Sequence, residues 1–429
     1  MLRTGSRIAK EGASAEWLGR NQKVGETIRV GFSGIGLGGL TLSLGRSYTF
    51  PRHQYPSREG SVLKRSLIVF LIAVCATFGF GQEHRKAHQP KLTPQNSGTT
   101  QLLIAVSPVN TRVVWAAGTG GTFVVTTDGG ETWKAGIVPG AEALQFRDVQ
   151  GVSDQVAYLM SIGTNTTDFR IYKTDDGGAT WNIQFTNETV NAFYDCFAFW
   201  TPNRGITHSD SVKGVFPDIR TTDGSTWQSI AGNMPPALPG EASFSSSGTC
   251  IATEGRKNAW ITTGGSTIAR ILATRDGGDT WNAYDTPLAS SPSAGGFSVA
   301  FRDPWNGIVG GGDLSTNDNP QAATSNDGGQ TWTLTKKPPV QGAIFCLAYA
   351  RGIRHGDGEE EDDHERDHTV VITAETQPNF DSGSAAWTPD EGSTWFSLPA
   401  VSGYWAVAFA NPKAGWFVGN GGQILKISF

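Results

Sequence analysis

The sequence has little cysteine, little methionine and few charged residues. Of its 429 residues, four are Cys, three are Met and only 17% are charged. Four cysteines are too few to staple a small disulfide-rich domain. The net charge is −5, so the basic excess that marks most nucleic-acid-binding proteins is missing, and we expect no nucleic-acid partner.

Glycine and aromatic residues are abundant instead. The chain contains 55 Gly, 22 Phe and 14 Trp. Length alone allows one large domain or two to three smaller ones. The composition is typical of many short strands joined by tight turns, with aromatic side chains between the sheets. It favours an all-β fold.

Residues 62–82 have the pattern of a secretory signal. Lys64 and Arg65 form a basic start, an apolar core follows, and small and polar residues lead out to Gln82. The apolar core is short for a membrane span, and an uncleaved anchor is the alternative. We expect residues 1–61 to be a disordered leader or a mis-assigned gene start. The mature protein, 83–429, is then secreted or periplasmic without a membrane span.

One motif, Ser/Thr-x-Asp-x-Gly-x-Thr-Trp, recurs six times, once with a residue missing. It has the pattern known as an Asp box. Its tryptophans are 46 to 63 residues apart, which is the period of propeller blades. The motif aspartates are Asp128, Asp176, Asp223, Asp276, Asp327 and Asp390. The motif tryptophans are Trp133, Trp181, Trp227, Trp281, Trp332 and Trp395.

Each motif position has a structural task. The Asp carboxylate can accept N–H groups of its own turn, the glycines supply positive φ, and the Trp buries its ring as the outgoing strand begins. A catalytic or calcium-binding role for the aspartates is the alternative. Because six turns spread around a ring cannot converge on one substrate, we expect them to be structural.

Seven apolar first strands, near residues 103, 149, 197, 251, 299, 347 and 407, predict a seven-bladed β-propeller of four-stranded antiparallel blades. The seventh unit ends after its third strand, at 423–427. We predict that residues near 89–93 supply its fourth strand and close the ring, which removes an exposed edge.

The repeat, and above all Ala414–Leu425 (AGWFVGNGGQIL), resembles the photosystem II stability and assembly factor family. The likeness covers about residues 88–429. It implies a seven-bladed propeller on the lumenal or periplasmic side that binds a nascent reaction-centre subunit. Asp boxes also occur in sialidases, xyloglucanases and sortilin-type receptors, so the motif identifies a fold better than a function.

Two segments suggest a specific chemical function. Phe169–Tyr172 (FRIY) resembles the Phe-Arg-Ile-Pro motif of sialidases, but Tyr172 replaces the proline, and we interpret it as a strand. Residues 354–368 form an acidic insertion in blade six. We expect a solvated loop there, because dense like charge resists compaction. A divalent-cation site at His355, His364 and His368 is the alternative.

Three cysteines, Cys196, Cys250 and Cys346, occupy one equivalent position two residues before an Ala in the first strands. Because Ser298 and Ala406 fill the same position in other blades, we interpret it as a small-residue packing slot. Free, unreactive thiols are therefore expected rather than a disulfide or a nucleophile.

Long polar loops between second and third strands fall on the face opposite the motif turns, and a rigid scaffold commonly carries function on such loops. The candidate binding residues are Asp168, His208, Asp210, Asp313 and Asp318. We expect a non-enzymatic, monomeric scaffold for a protein partner, without catalytic residues, metal or cofactor. The alternatives are a sialidase-like or other glycoside hydrolase and a carbohydrate-binding propeller.

Overall fold

Seven antiparallel four-stranded sheets make up the computed structural model, one for each predicted blade. The structure describes residues 89–351 and 368–429, which belong to one compact unit, Gln82–Phe429. The predicted leader, the signal segment and nearly all of the acidic insertion lie outside the described residues. The described strands are numbered β1 to β28 in chain order.

Blades 1 to 6 are each continuous in sequence, with the first strand innermost. Blade 1 holds β2 (Leu103–Pro108), β3 (Val114–Gly118), β4 (Thr122–Thr126) and β5 (Lys134–Ile137). Blade 2 holds β6 (Gln145–Gly151), β7 (Ala157–Ile162), β8 (Arg170–Thr174) and β9 (Asn182–Thr186). Blade 3 holds β10 (Tyr194–Thr201), β11 (Arg204–Ser209), β12 (Ile219–Thr221) and β13 (Trp227–Ser229).

The second half of the ring repeats this order. Blade 4 holds β14 (Ile251–Glu254), β15 (Asn258–Thr262), β16 (Arg270–Thr274) and β17 (Asn282–Asp285). Blade 5 holds β18 (Ala294–Phe301), β19 (Gly307–Asp313), β20 (Gln321–Ser325) and β21 (Thr333–Leu334). Blade 6 holds β22 (Ala343–Tyr349), β23 (Val370–Glu375), β24 (Ser384–Thr388) and β25 (Phe396–Leu398). Short 3-10 turns lie at Thr166–Asp168, Ala231–Asn233 and Asn420–Gly422.

Blade 7 closes the ring with both ends of the described chain. It combines β26 (Tyr404–Asn411), β27 (Ala414–Gly419) and β28 (Gln423–Ser428) with β1 (Lys91–Asn96). β1 pairs antiparallel with β28 over its full length. The predicted seam is confirmed, although the N-terminal strand extends to Asn96 rather than ending near residue 93.

The six motif turns are held by their own aspartates. In the first, Asp128 accepts the N–H of Thr132 at 3.0 Å and its hydroxyl at 2.6 Å. These bonds, the hydroxyl first, hold the pKa of Asp128 well below its usual range. The hydroxyl of Thr126 accepts the N–H of Gly130, whose φ of +88° favours glycine. In the other five turns the motif Asp likewise accepts the backbone N–H of the motif Thr. These aspartates are Asp176, Asp223, Asp276, Asp327 and Asp390.

Motif turns also join consecutive blades. The Tyr158 hydroxyl of blade 2 donates to the carbonyl oxygen of Gly224 in the motif turn of blade 3, at 3.1 Å. At the seam, Lys426 Nζ donates to the carbonyl oxygen of Gly129 in blade 1, at 3.0 Å. Each of these turns therefore stabilises its own hairpin and the contact with the preceding blade.

Two of the three equivalent cysteines form a disulfide. Cys196 of β10 and Cys250, directly before β14, are bonded with their Cα atoms 6.0 Å apart. The prediction of free thiols is therefore wrong for this pair, whereas Cys346 is free and buried. Equivalent positions in neighbouring blades come close together near the axis of the ring. Cys196 and Cys250 belong to neighbouring blades, and blade 6, which holds Cys346, borders neither of them.

The same position links other blades through hydrogen bonds. Asp148 Oδ2 accepts the N–H of Phe197 at 2.8 Å, and Ser298 Oγ accepts the N–H of Leu347 at 2.9 Å. The position is therefore an inter-blade link as well as a packing slot. Within residues 89–351 and 368–429, no helix has the length and apolar character needed to cross a membrane.

Candidate functional site

The propeller has two distinct ends. We call the end that carries the connections between second and third strands, together with the segments between blades, the loop face. The other end, with the motif turns, is the motif face. The predicted binding residues all belong to loop-face segments or the strand ends beside them: Asp168, His208, Asp210, Asp313 and Asp318.

Three of these carboxylates bind their own loops. Asp168 Oδ2 accepts two backbone N–H groups of its loop at 2.8 and 2.9 Å. Asp313 Oδ1 accepts the N–H of Ser315 at 2.8 Å, and Asp318 accepts the hydroxyl of Thr316. Their contacts order the loops of blades 2 and 5, and no contact brings these three carboxylates together within the described residues.

His208 and Asp210 point into the protein instead. His208 lies in β11 opposite Cys196, and its side chain is fully buried, with Nδ1 2.9 Å from Asp218 Oδ2. Contrary to the prediction, His208 does not reach the surface, because the alternation of β11 turns it onto Phe216. Asp210 is half-buried, and its Oδ1 accepts the N–H of Ser243 at 3.0 Å.

Three charged residues that the sequence did not single out complete a buried charged cluster: Arg147, Asp195 and Asp218 join His208 and Asp210. The carboxyl group of Asp195 lies close to those of Asp210 and Asp218, whose negative charges act on it. Burial raises the pKa of Asp195 well above its usual range and that of Asp210 to about 6. Burial disfavours the ionised form of both carboxyl groups, and the neighbouring negative charges add to this effect at Asp195.

Arg147 supplies the positive charge of the cluster. Its Nη2 donates to Gln145 Oε1 at 2.9 Å, its Nη1 donates to the carbonyl oxygen of Ser245 at 3.2 Å, and its guanidinium lies 5.6 Å from the ring centre of Trp405. Burial lowers the pKa of Arg147 to about 10, against the attraction of Asp195. The guanidinium therefore stays charged at neutral pH.

A β-bulge in the innermost strands explains why these charges lie at the centre. Six of the seven first strands skip one residue near their loop-face start in pairing with the second strand. The residues skipped at this end are Ile104, Arg147, Asp195, Phe297, Phe345 and Trp405. Four of them, from blades 1, 5, 6 and 7, pack in one apolar cluster, so the bulges direct these side chains towards the axis. The sequence signal was a charged residue inside an apolar first strand.

The carboxyl pair is poorly placed for hydrolysis. A general acid or base must lie within hydrogen-bond reach of the substrate. Asp195 is only 1% exposed, and the strands and loops of blades 2 to 4 enclose the cluster. Among the described residues no group of His, Cys, Asp or Glu side chains is arranged to hold a metal ion. His368, the described end of the acidic insertion, contacts Glu391 at 3.2 Å.

The loop face also carries an apolar groove between blades 2 and 3. Its volume is about 430 Å³, and Phe185, Tyr194, Trp227 and Val215 contribute to its lining. β12 and β13 have three residues each, so blade 3 ends early on its outer side, next to the groove. Val215 is 47% exposed, and Val190, beside the groove, is 68% exposed. Clustered exposed apolar side chains are typical of an interaction site.

No family model and no curated protein matches the chain. Solved structures do. A structure of YCF48 bound to D1 peptide has 15% sequence identity and a TM-score of 0.53, and the match covers 80% of this chain and 98% of that one. YCF48 from Cyanidioschyzon merolae has 16% identity and a TM-score of 0.54, with 79% and 98% covered. This chain has the YCF48 propeller fold. At this identity the likeness establishes architecture.

Proposed function

We propose that this protein is a non-enzymatic scaffold that binds a protein partner through its loop face. The observation that carries the proposal is the apolar groove between blades 2 and 3, with exposed Val190 and Val215 beside it. A structural neighbour, YCF48, has been solved bound to a D1 peptide, and the sequence resembles photosystem II assembly factors. Both likenesses support a polypeptide as the ligand.

The groove favours an apolar segment of the partner. Among the groove-lining residues, Glu188 is the one charged side chain, whereas aromatic and aliphatic groups supply most of the surface. A closed ring holds these groups in place, so binding costs little reorganisation of the scaffold. The partner segment we infer is extended and presents one or two aliphatic or aromatic side chains.

We further propose that the six motif turns are Asp-box repeats and that the mature protein is a secreted or periplasmic monomer. The signal-like pattern at residues 62–82 supports export. The Cys196–Cys250 disulfide is consistent with it, because disulfides persist in oxidising compartments.

Peptides selected from a random phage-displayed library against the purified protein test this function. The selected peptides should share apolar residues. The double variant Val190→Asp, Val215→Asp should weaken their binding about tenfold or more, since a buried charge without a partner is costly. Fluorescence anisotropy with labelled peptide measures the affinity.

Leu334→Asp is the matched control. Leu334 lies on the outer strand of blade 5 and is 47% exposed, as is Val215, but it is remote from the groove. The control should bind the selected peptides with unchanged affinity. Failure to select any peptide, or equal loss in both variants, would contradict the proposed face.

A further inference from the structure

The centre of the ring is occupied by a segment of blade 4. We call Ser243–Gly248, which precedes β14, the strap. Blade 4 is the one blade without a bulge in its innermost strand, which starts only at Ile251. In the other six blades a bulge residue points towards the axis, and in blade 4 the strap takes that place.

Side chains of the strap hold it against the channel wall. The ring of Phe244 stacks on Phe297 with centroids 4.0 Å apart and planes 5° from parallel. The hydroxyls of Ser246 and Ser247 both donate to the carbonyl oxygen of Phe345, at 2.9 and 2.7 Å. Phe297 and Phe345 belong to blades 5 and 6, so the strap extends beyond its own blade.

A charged group of the opposite side completes the contact. Arg147 of blade 2 donates to the carbonyl oxygen of Ser245. A segment that contacts blades 2, 5 and 6 at once lies across the axis of the ring. Gly248 packs against Asp148, where an added Cβ would lie 2.4 Å from the carboxylate.

The ends of the strap are fixed, whereas its middle is held as a bound ligand would be. Ser243 donates its N–H to Asp210, and the Cys196–Cys250 disulfide anchors the residue that follows Thr249. Between these anchors, the strap has two kinds of hydrogen bond to the channel wall. The hydroxyls of Ser246 and Ser247 donate to the wall, and the carbonyl oxygen of Ser245 accepts from Arg147. A different polypeptide with the same side chains could make the same contacts.

We propose that the strap occupies a binding cradle as an internal stand-in for a segment of the partner. The cradle recognises an aromatic side chain followed by two or three small hydroxyl residues in a chain that bends as the strap does, where the N–H of Ser246 donates to the carbonyl oxygen of Phe244. Phe244 and Ser245 are half-buried, so a competing segment can begin to displace the strap at this end. The inference rests on the proposed function, because it specifies the partner's chemistry.

The full chain with Phe244→Ala tests the cradle. The probe is a fluorescein-labelled peptide with the strap's own sequence, Ala-Ser-Phe-Ser-Ser-Ser-Gly. Emptying the aromatic position should let the probe bind about tenfold more tightly than to the unmodified chain, which corresponds to about 1.4 kcal/mol. A probe with Ala in place of its Phe should lose this gain. Anisotropy titration measures both.

Phe193→Ala is the matched control, since Phe193 lies on the loop face and contacts Phe169 rather than the cradle. It should leave binding of the probe unchanged. If Phe244→Ala does not fold, Phe244→Leu keeps an apolar side chain at this position, removes the stacking and should still bind the probe more tightly than the unmodified chain.

Binding of the probe to the folded Phe244 variants that is no tighter than to the unmodified chain would overturn the cradle. So would equal binding of the Ala-substituted probe. Because the probe needs no natural partner, failure of the groove variants leaves this result standing, and the two proposals fail separately.

Discussion

Glu375 gives the fold a pH dependence that can be predicted from its surroundings. It ends β23 at the loop face, and its side chain is 1% exposed. Burial, together with nearby Asp381, raises its pKa from 4.5 to about 8, although Oε2 accepts the N–H of Gly383 at 3.1 Å. The folded protein therefore keeps this proton to a higher pH than the unfolded chain. Its contribution to stability is full below pH 4.5 and is lost as the pH rises towards 8.

Glu375→Gln should remove this dependence, because glutamine resembles the protonated acid and does not ionise. At about 1.4 kcal/mol per pKa unit, the variant should be more stable than the unmodified protein by on the order of 4 kcal/mol at pH 8.5. At pH 4 the two should have similar free energies of unfolding.

Urea unfolding monitored by tryptophan fluorescence at both pH values provides the measurement. Glu131→Gln, an exposed position on the first motif turn, is the control and should not alter the pH profile. If Glu375→Gln and the unmodified protein lose stability in parallel between pH 4 and 8.5, the assigned pKa is incorrect.

Two further predictions concern the ring centre. Simultaneous Cys196→Ala and Cys250→Ala removes a link between residues 54 apart and should lower the free energy of unfolding by about 2–5 kcal/mol. An unchanged urea midpoint would refute this role. Gly248 and Gly214 both have positive φ, +76° and +81°, but only Gly248 is crowded. Gly214→Ala should cost about 1 kcal/mol, and Gly248→Ala clearly more in the same titration; equal costs would refute the crowding beside Asp148.

The blade count and the seam could be predicted from sequence because the information is local and repeated. Each motif closes its own turn through an aspartate such as Asp128, and its Trp marks the following strand. The incomplete seventh unit required a strand from elsewhere, and the segment that precedes the first blade was the available one. No long-range geometry was needed for either inference.

The ring centre could not be predicted because it depends on how blades meet. A bulge moves Arg147 and Asp195 to the axis, and the one local sign of it is a charged residue inside an otherwise apolar strand. The meeting of neighbouring blades also pairs Cys196 with Cys250. From the sequence, their equivalent positions in the repeat suggested two separate packing slots. His208 was placed on a loop face from its neighbours, but strand alternation turns it inward.

Hydrogen–deuterium exchange of the full chain, with and without a peptide selected against it, tests partner binding at the loop face most directly. The account predicts that protection on binding is confined to the loop face, centred on residues 187–193 and 210–217 beside the groove. Protection centred on the motif turns, such as residues 126–133, with the groove segments unchanged, would contradict it.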